Sequence, residues 1–304
     1  MKQITIPLEV DLMLQAGAAL SVSTSSGKDS QAMTVLLTRM HRQTLEWTGE
    51  IYNIHAHLGR SEWPQSLPHA ERIAGECGIP LVIVRNERGG DLLDRIERRV
   101  HTLADRHINP FPSAKQRFCT SDMKRTPLQK HQRRHRLLVS AIGIRREESS
   151  GRRLKDPFLM DKQLTAKRLR SMTIGQALRE RKEKERLAVI WHPLIDFRIG
   201  EVWEACGTTE REIAIRRALY REGKHEQALA SCPVHPAYIF GAKRLSCSLC
   251  ILADLQTLRT GARHNPELHR AYVRIEQQSG WTFQPGRALA TLDLSEPPLT
   301  PLFN

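Results

Sequence analysis

The chain has 304 residues, 40% of them hydrophobic, with 47 Lys/Arg against 33 Asp/Glu and a net charge of +14. That content supports the core of one large domain, or of a domain with an appendage, and no apolar run approaches the length of a membrane span. The basic excess points to polyanionic partners, nucleic acid ahead of membrane, because no basic amphipathic anchor stands out; a generally basic soluble enzyme is the alternative.

The first residues, Met-Lys-Gln-Ile-Thr-Ile-Pro, lack the apolar segment of a secretory signal, which implies a cytoplasmic protein. Six cysteines in that compartment stay reduced, so metal or catalytic roles come before disulfides.

In chain order, the first half alternates strand and helix signals. Strands are expected at about 20–23, 51–55, 81–85, 137–142 and 187–191, with helices at 29–42, 66–77 and 91–106 between them. In the last helix, Leu92, Leu93, Ile96, Val100 and Leu103 share one face, and Gly78 before Ile79-Pro80 reads as a helix stop. The pattern predicts an α/β fold, a doubly wound and mostly parallel sheet, spanning 1–200. A helical region at 201–304 carries a cysteine cluster at 232–250. A capped helix at about 266–278 runs from Pro266 to Gly280, and a proline-rich tail comes after it. Residues 145–186 read as a basic insertion with 14 basic and 7 acidic residues. Its end, 178–186, is either a solvated, ion-paired helix or a flap facing nucleic acid. A second basic cluster runs from Lys124 to Arg136.

The stretch from Ser21 to Ser30, Ser-Val-Ser-Thr-Ser-Ser-Gly-Lys-Asp-Ser, joins the first strand to the first long helix. Such a turn suits phosphate, because helix N-terminal N–H groups and the positive end of the dipole face the ligand. It is not a Walker A loop, since Val22 and Asp29 stand where that pattern needs Gly and Ser/Thr. It is closer to the Ser-Gly-Gly-x-Asp-Ser loop of enzymes that split ATP between its α- and β-phosphates, with Ser26 in place of the first glycine. Ser23, Ser25, Ser26, Gly27 and Ser30 would line the phosphates, Lys28 would neutralise the departing pyrophosphate, and Asp29 would hold Mg²⁺ or cap the helix. In doubly wound sheets ligands sit beyond the strand carboxyl ends, so Gly143, Arg145, Arg146 and Arg152 would meet the same nucleotide. Glu147 and Glu148 would orient those arginines.

The cysteines form a second candidate site. Cys232-Pro-Val-His235 is followed by Cys247-Ser-Leu-Cys250. This is close to a structural zinc spacing; the alternative is an iron–sulfur cluster on Cys232, Cys247 and Cys250 with Cys119 or a further ligand. Cys119, flanked by Arg117 and Lys124, is expected to have a depressed pKa and to carry or attack a persulfide. Cys77 and Cys206 read as buried packing residues.

Four further segments come after the loop in order: His55-Ala-His57-Leu-Gly-Arg-Ser-Glu-Trp63, Arg117 to Pro127, Gly143-Ile-Arg-Arg-Glu-Glu-Ser-Ser-Gly-Arg152 and Trp191 to Trp203. Together they resemble the phosphoadenosine phosphosulfate (PAPS) reductase-like branch of the adenine nucleotide α-hydrolases, over roughly residues 15–255. This branch includes the sulfurtransferases of DNA phosphorothioation. One departure is His57, where the family commonly has aspartate. The resemblance implies an enzyme using ATP and Mg²⁺, with catalytic roles for Lys28, Asp29, Cys119 and Arg145. It favours a [4Fe-4S] cluster over Zn²⁺. The implied reaction adenylylates a nucleic acid, DNA ahead of tRNA, for sulfur incorporation, with a sulfur donor such as a cysteine desulfurase as partner. Two alternatives stand beside it. One is a PAPS or adenosine phosphosulfate reductase, although such enzymes use a cysteine near the C-terminus and the last here is Cys250. The other, motivated by Ser26 and His57, is a nucleotide-sensing, nucleic-acid-binding regulator without turnover. Oligomeric state is not legible.

Overall fold

Apolar runs at Ala19–Thr24 (β1), Ile51–Ala56 (β2), Leu81–Val84 (β3), Leu137–Ala141 (β4), Phe158–Met160 (β5) and Leu187–Trp191 (β6) form one six-stranded sheet. The structure is a computed structural model describing residues 2–87 and 90–295. The strand order is β3-β2-β1-β4-β6-β5. β1 pairs in parallel with β2 and with β4, and β4 with β6, while β5 lies antiparallel at the edge. The chain winds outward from β1 to β3, then returns to place β4 on the other side of β1. The order reverses there, and the loops after β1 and β4 become neighbours.

The central strands are buried on both faces, as helix-covered parallel strands must be. Leu20, Val22, Leu138, Val139, Ala188 and Val189 have no exposed surface to speak of. The polar Ser21 and Ser140 within this sheet both accept from Gln132 Nε2, at 3.1 and 3.0 Å, which satisfies them in the core.

The five expected strands are all present, with ends moved by a residue or two, and helices occupy Lys28–Gln43, Ser66–Cys77 and Leu92–Leu103. β5 was not foreseen. It lies inside the basic 145–186 stretch, and three residues carry too little alternation to mark a strand. The basic run at 178–186 is not one helix: the helix Ile174–Glu180 ends first, and Arg168 then pairs with Glu185 at 2.8 Å on an exposed connection to β6.

Two compact units interleave along the chain rather than meeting at a single break near 200. One comprises Met1–His55, Pro68–Val84 and Leu128–Glu210 and holds the sheet. The other comprises Ala56–Leu67, Arg85–Pro127 and Arg211–Asn304. Its core gathers the helices Leu92–Leu103, Leu255–His264 and Pro266–Ser279 around Phe111, Tyr272 and Phe283, whose rings lie 5.2–6.2 Å apart. The last helix stops at Gly280, whose φ of 69° is the left-handed cap geometry glycine permits. Among the described residues, no helix is long and apolar enough to cross a membrane.

Glu276 fixes the segment beyond that helix. Its buried carboxylate accepts from the N–H of Phe283 at 2.6 Å, of Leu289 at 3.0 and 2.9 Å, and of Ala290 at 3.3 Å. A charged acceptor saturated by backbone donors is worth more than a neutral pair, and its loss orphans several N–H groups at once. Glu276→Ala should cost about 2–4 kcal/mol in chemical denaturation, and Glu276→Gln roughly half of that.

Candidate functional site

In the first unit the chain leaves β1 at Thr24 and enters the Lys28–Gln43 helix through a tight turn. Gly27 is the N-cap residue in extended conformation, so Asp29 lies in the first turn and does not cap it. Ser26 has φ = 62°, the left-handed region where a non-glycine residue is strained. The backbone therefore keeps the shape a glycine would take at this position. Ser30 braces the turn: its hydroxyl donates to Gly27 O at 2.8 Å and accepts from Ser25 N–H at 3.1 Å. Ser25 is exposed at the tip, Ser26 and Ser30 are buried, and Ser23 sits half-buried in β1. The first-turn N–H groups of this helix have no intrahelical acceptors, which makes its start an anion-binding end.

Asp29 links two cations. Its Oδ2 receives Lys28 Nζ at 3.0 Å and its Oδ1 receives Arg145 Nε at 2.5 Å. Burial works against its charge, but Lys28 and Arg145 outweigh it and hold the carboxyl below its ordinary pKa. With both oxygens engaged, Asp29 organises the cations here; holding Mg²⁺ would require one of them to be displaced. Lys28 Nζ also lies 5.6 Å from the ring centre of Trp203, and Cys206 Sγ donates to Lys28 O at 3.2 Å. Gly143 admits this approach. A Cβ there would stand 3.1 Å from Asp29 O and 3.4 Å from Ser30 N, so the absence of a side chain lets the two backbones pack closely.

The three arginines expected to converge do not. Arg145 is buried and reaches the loop, with Glu147 pairing to it. Arg146 turns to Asp196, and Arg152 to Glu148. Glu147 pairs with Arg145 and Glu148 with Arg152, so both glutamates orient arginines. Trp203 and Cys206 beside Lys28 were given no site role from sequence; Trp203 closes one of the quoted segments, which is the only signal they carried.

The second unit holds the thiols. Cys119, Cys247 and Cys250 lie within electrostatic reach of Lys124, as does Glu62. Burial works against the charge of Lys124, yet Cys247, Glu62, Cys119 and Cys250 together hold its pKa above the ordinary value. Burial pushes Cys247 up to about 12 in spite of Lys124. Cys119 is a correction: its pKa is raised, not depressed. Burial dominates, and Lys124 and Arg117 do not overcome it.

His235 is a second correction. Its Nδ1 accepts from Ala237 N–H at 3.1 Å, capping the turn Pro236–Tyr238, which leaves Nε2 to donate to Ser66 Oγ at 3.4 Å. Both ring nitrogens are used and burial holds the ring neutral, its pKa pushed down to about 4. The zinc reading of the Cys232-x-x-His235 pair therefore loses its histidine. Cys232 lies before that turn, its Sγ donating to Val234 O at 3.5 Å. Of the five expected metal ligands, Cys119, Cys247 and Cys250 lie within electrostatic reach of Lys124. Cys77 and Cys206 are buried, as expected. His57, at the family's aspartate position, pairs through Nδ1 with Glu62 at 2.8 Å.

The strained turn gives a direct test. Ser26→Gly should leave stability within about 1 kcal/mol of the parent, because relief of the left-handed strain offsets the added chain entropy. Ser26→Val should lose about 2 kcal/mol or more, measured by denaturant titration.

The solved structures to which the chain is similar include a phosphoadenylyl-sulfate (PAPS) reductase from Candida auris, in a phosphate complex. It is similar at 11% identity and a TM-score of 0.44, over 81% of this chain and 98% of that one. An FMN adenylyltransferase from Candida glabrata, in complex with FMN and the ATP analog AMPCPP, is similar at 11% identity and a TM-score of 0.32, over 62% of this chain and 47% of that one. No curated protein matches the sequence. The phosphoadenosine phosphosulfate reductase domain model matches residues 19–275, which takes in both the Lys28–Asp29–Arg145 arrangement and the Lys124 thiol group; the chain belongs to that family.

Proposed function

We propose that the protein is an ATP-splitting sulfurtransferase that activates a nucleic acid for sulfur incorporation. What supports this reading is the Lys28–Asp29–Arg145 arrangement at a phosphate-type loop, in a chain whose Cys119, Cys247 and Cys250 lie within electrostatic reach of the half-buried Lys124. A substrate oxygen attacks the α-phosphorus of ATP, the α–β bond breaks, and pyrophosphate leaves. A sulfur nucleophile then displaces AMP. Lys28 and the first-turn N–H groups stabilise charge on the leaving pyrophosphate, and Arg145 supports the α-phosphate. Asp29 holds both cations in place.

The three thiols suit an iron–sulfur cluster better than zinc, because the histidine of the zinc set is engaged elsewhere. Cys119, Cys247 and Cys250 would hold it, and Lys124 would balance their thiolate charge. Such a cluster, when bound, handles the transferred sulfur. The sulfur would come from a persulfide-forming donor such as a cysteine desulfurase, and DNA precedes tRNA as acceptor. The same thiols would equally serve a reductase of PAPS, and the products separate the two readings.

With labelled ATP, Mg²⁺ and nucleic acid, AMP and pyrophosphate should form, and Lys28→Ala should slow this about 10²–10³-fold. Consumption of PAPS with a thiol donor while ATP stays intact would establish the reductase instead. Turnover of neither would mark a regulator. Protein purified without oxygen should contain iron and sulfide, and Cys247→Ser should lose most of both. One zinc per chain with no iron would overturn the cluster assignment.

A further inference from the structure

The sheet of the first unit has two ends, and only one carries the Lys28–Asp29–Arg145 arrangement. β1 and β4 run parallel, so the loop end lies beyond Thr24 and Ala141, and the opposite end begins at Ala19 and Leu137. Five residues at about 3.3 Å each put roughly 17 Å between them. At the far end an open groove of about 500 Å³ is lined by Ala19, Leu137, Glu50, Arg134, Arg136 and Arg181. It shares no lining residue with the nucleotide loop.

Cations are crowded around this groove. Arg186 donates to the carbonyls of His135 and Arg133. Burial, then the charges of Arg136 and Arg133, hold its pKa below the ordinary arginine value. Burial also holds His135 down, with Arg134 and Arg186 adding to it and Glu50 opposing. Glu50 lies 3.4 Å from His135 Nδ1 and 3.9 Å from Arg134. Arg133, Arg134 and Arg136 are all exposed. Like charges held this close weaken a fold in the absence of an anion, and they also concentrate anions at the surface. Guanidinium forks match phosphate geometry, and an open groove suits a chain of phosphates more than a single enclosed one.

We infer that this groove grips the phosphodiester backbone of a nucleic acid, at the strand end opposite the nucleotide loop. The identity of the polyanion rests on the proposed function; the site itself rests on the groove. Binding here reads charge and not sequence. At about 3.4 Å per step, a strand of five or six nucleotides covers the distance to the loop, so an anchored polymer extends to the ATP end.

The test is binding of a fluorescent duplex of about 20 base pairs, without ATP, across a salt series. Arg134→Glu/Arg136→Glu should weaken binding about 10- to 100-fold and flatten the slope of log K against log salt by about two. The milder Arg133→Gln/Arg134→Gln should act in the same direction and guards against a folding defect. A control in the other unit, Arg270→Glu/Arg274→Glu, makes the same charge change and should stay within about threefold of the parent. Equal weakening by groove and control variants, or an unchanged slope, would overturn the site. So would polyglutamate competing as well as DNA at equal charge, which would make the groove an acidic-protein site. Binding as expected with no AMP formed in any preparation would count against the proposed reaction and leave the groove standing.

Discussion

One carboxylate sets the geometry of the nucleotide end. Asp29 sits between Lys28 and Arg145, and so ties the turn after β1 to the segment after β4. Without it, two cations would face one another at a helix N-terminus, itself a positive end. With it, their charges are held near the place where phosphate charge would develop, and they need no reorganisation when it arrives. Gly143 and the Ser30 hydroxyl serve the same end. One lets the two backbones approach, and the other closes the turn so that Lys28 begins the helix.

The second unit shows the opposite arrangement, one cation among several acceptors. A half-buried ammonium is costly unless compensated, and the anion that compensates it here is Glu62. Neutral thiols are poor partners for a cation, whereas thiolates are good ones. Lys124 opposes burial at Cys119 and Cys247 and so eases the removal of their protons. The raised pKa values of Cys119 and Cys247 and the presence of Lys124 do not conflict, because burial outweighs the lysine's charge at both sulfurs.

Much of this was legible in the sequence. Five strands and the main helices announced themselves through long apolar periodicity, and the loop through the small residues before Lys28. Short or non-local features did not. β5 is three residues long, and its pairing with β6 depends on chain returning from far along the sequence. Proximity in sequence placed Cys119 next to cations, but burial decides its pKa, and burial is a property of the packed core around Phe118 and Met123. His235 matched a ligand spacing, yet a turn starting at Pro236 needed a cap and took its nitrogen. The arginine run suggested three convergent forks, whereas Asp196 and Glu148 drew two of them away.

The two departures from the family pattern can be weighed in the same physical terms. Ser26 stands for glycine, but its φ of 62° is the conformation a glycine would supply, so the turn keeps its shape at a cost of roughly 1–2 kcal/mol. Strain of this kind persists only where the surroundings over-determine it, and here Thr24, Gly27 and Ser30 do so. His57 stands for aspartate, and a carboxylate is nevertheless close, because Glu62 pairs with its ring. Each departure therefore changes a residue while the shape of the turn, in one case, and the nearby acidic group, in the other, are kept. What both departures preserve is the setting of the loop and its flank: a turn shaped to present backbone N–H groups beside a buried lysine, and an acidic group next to His57.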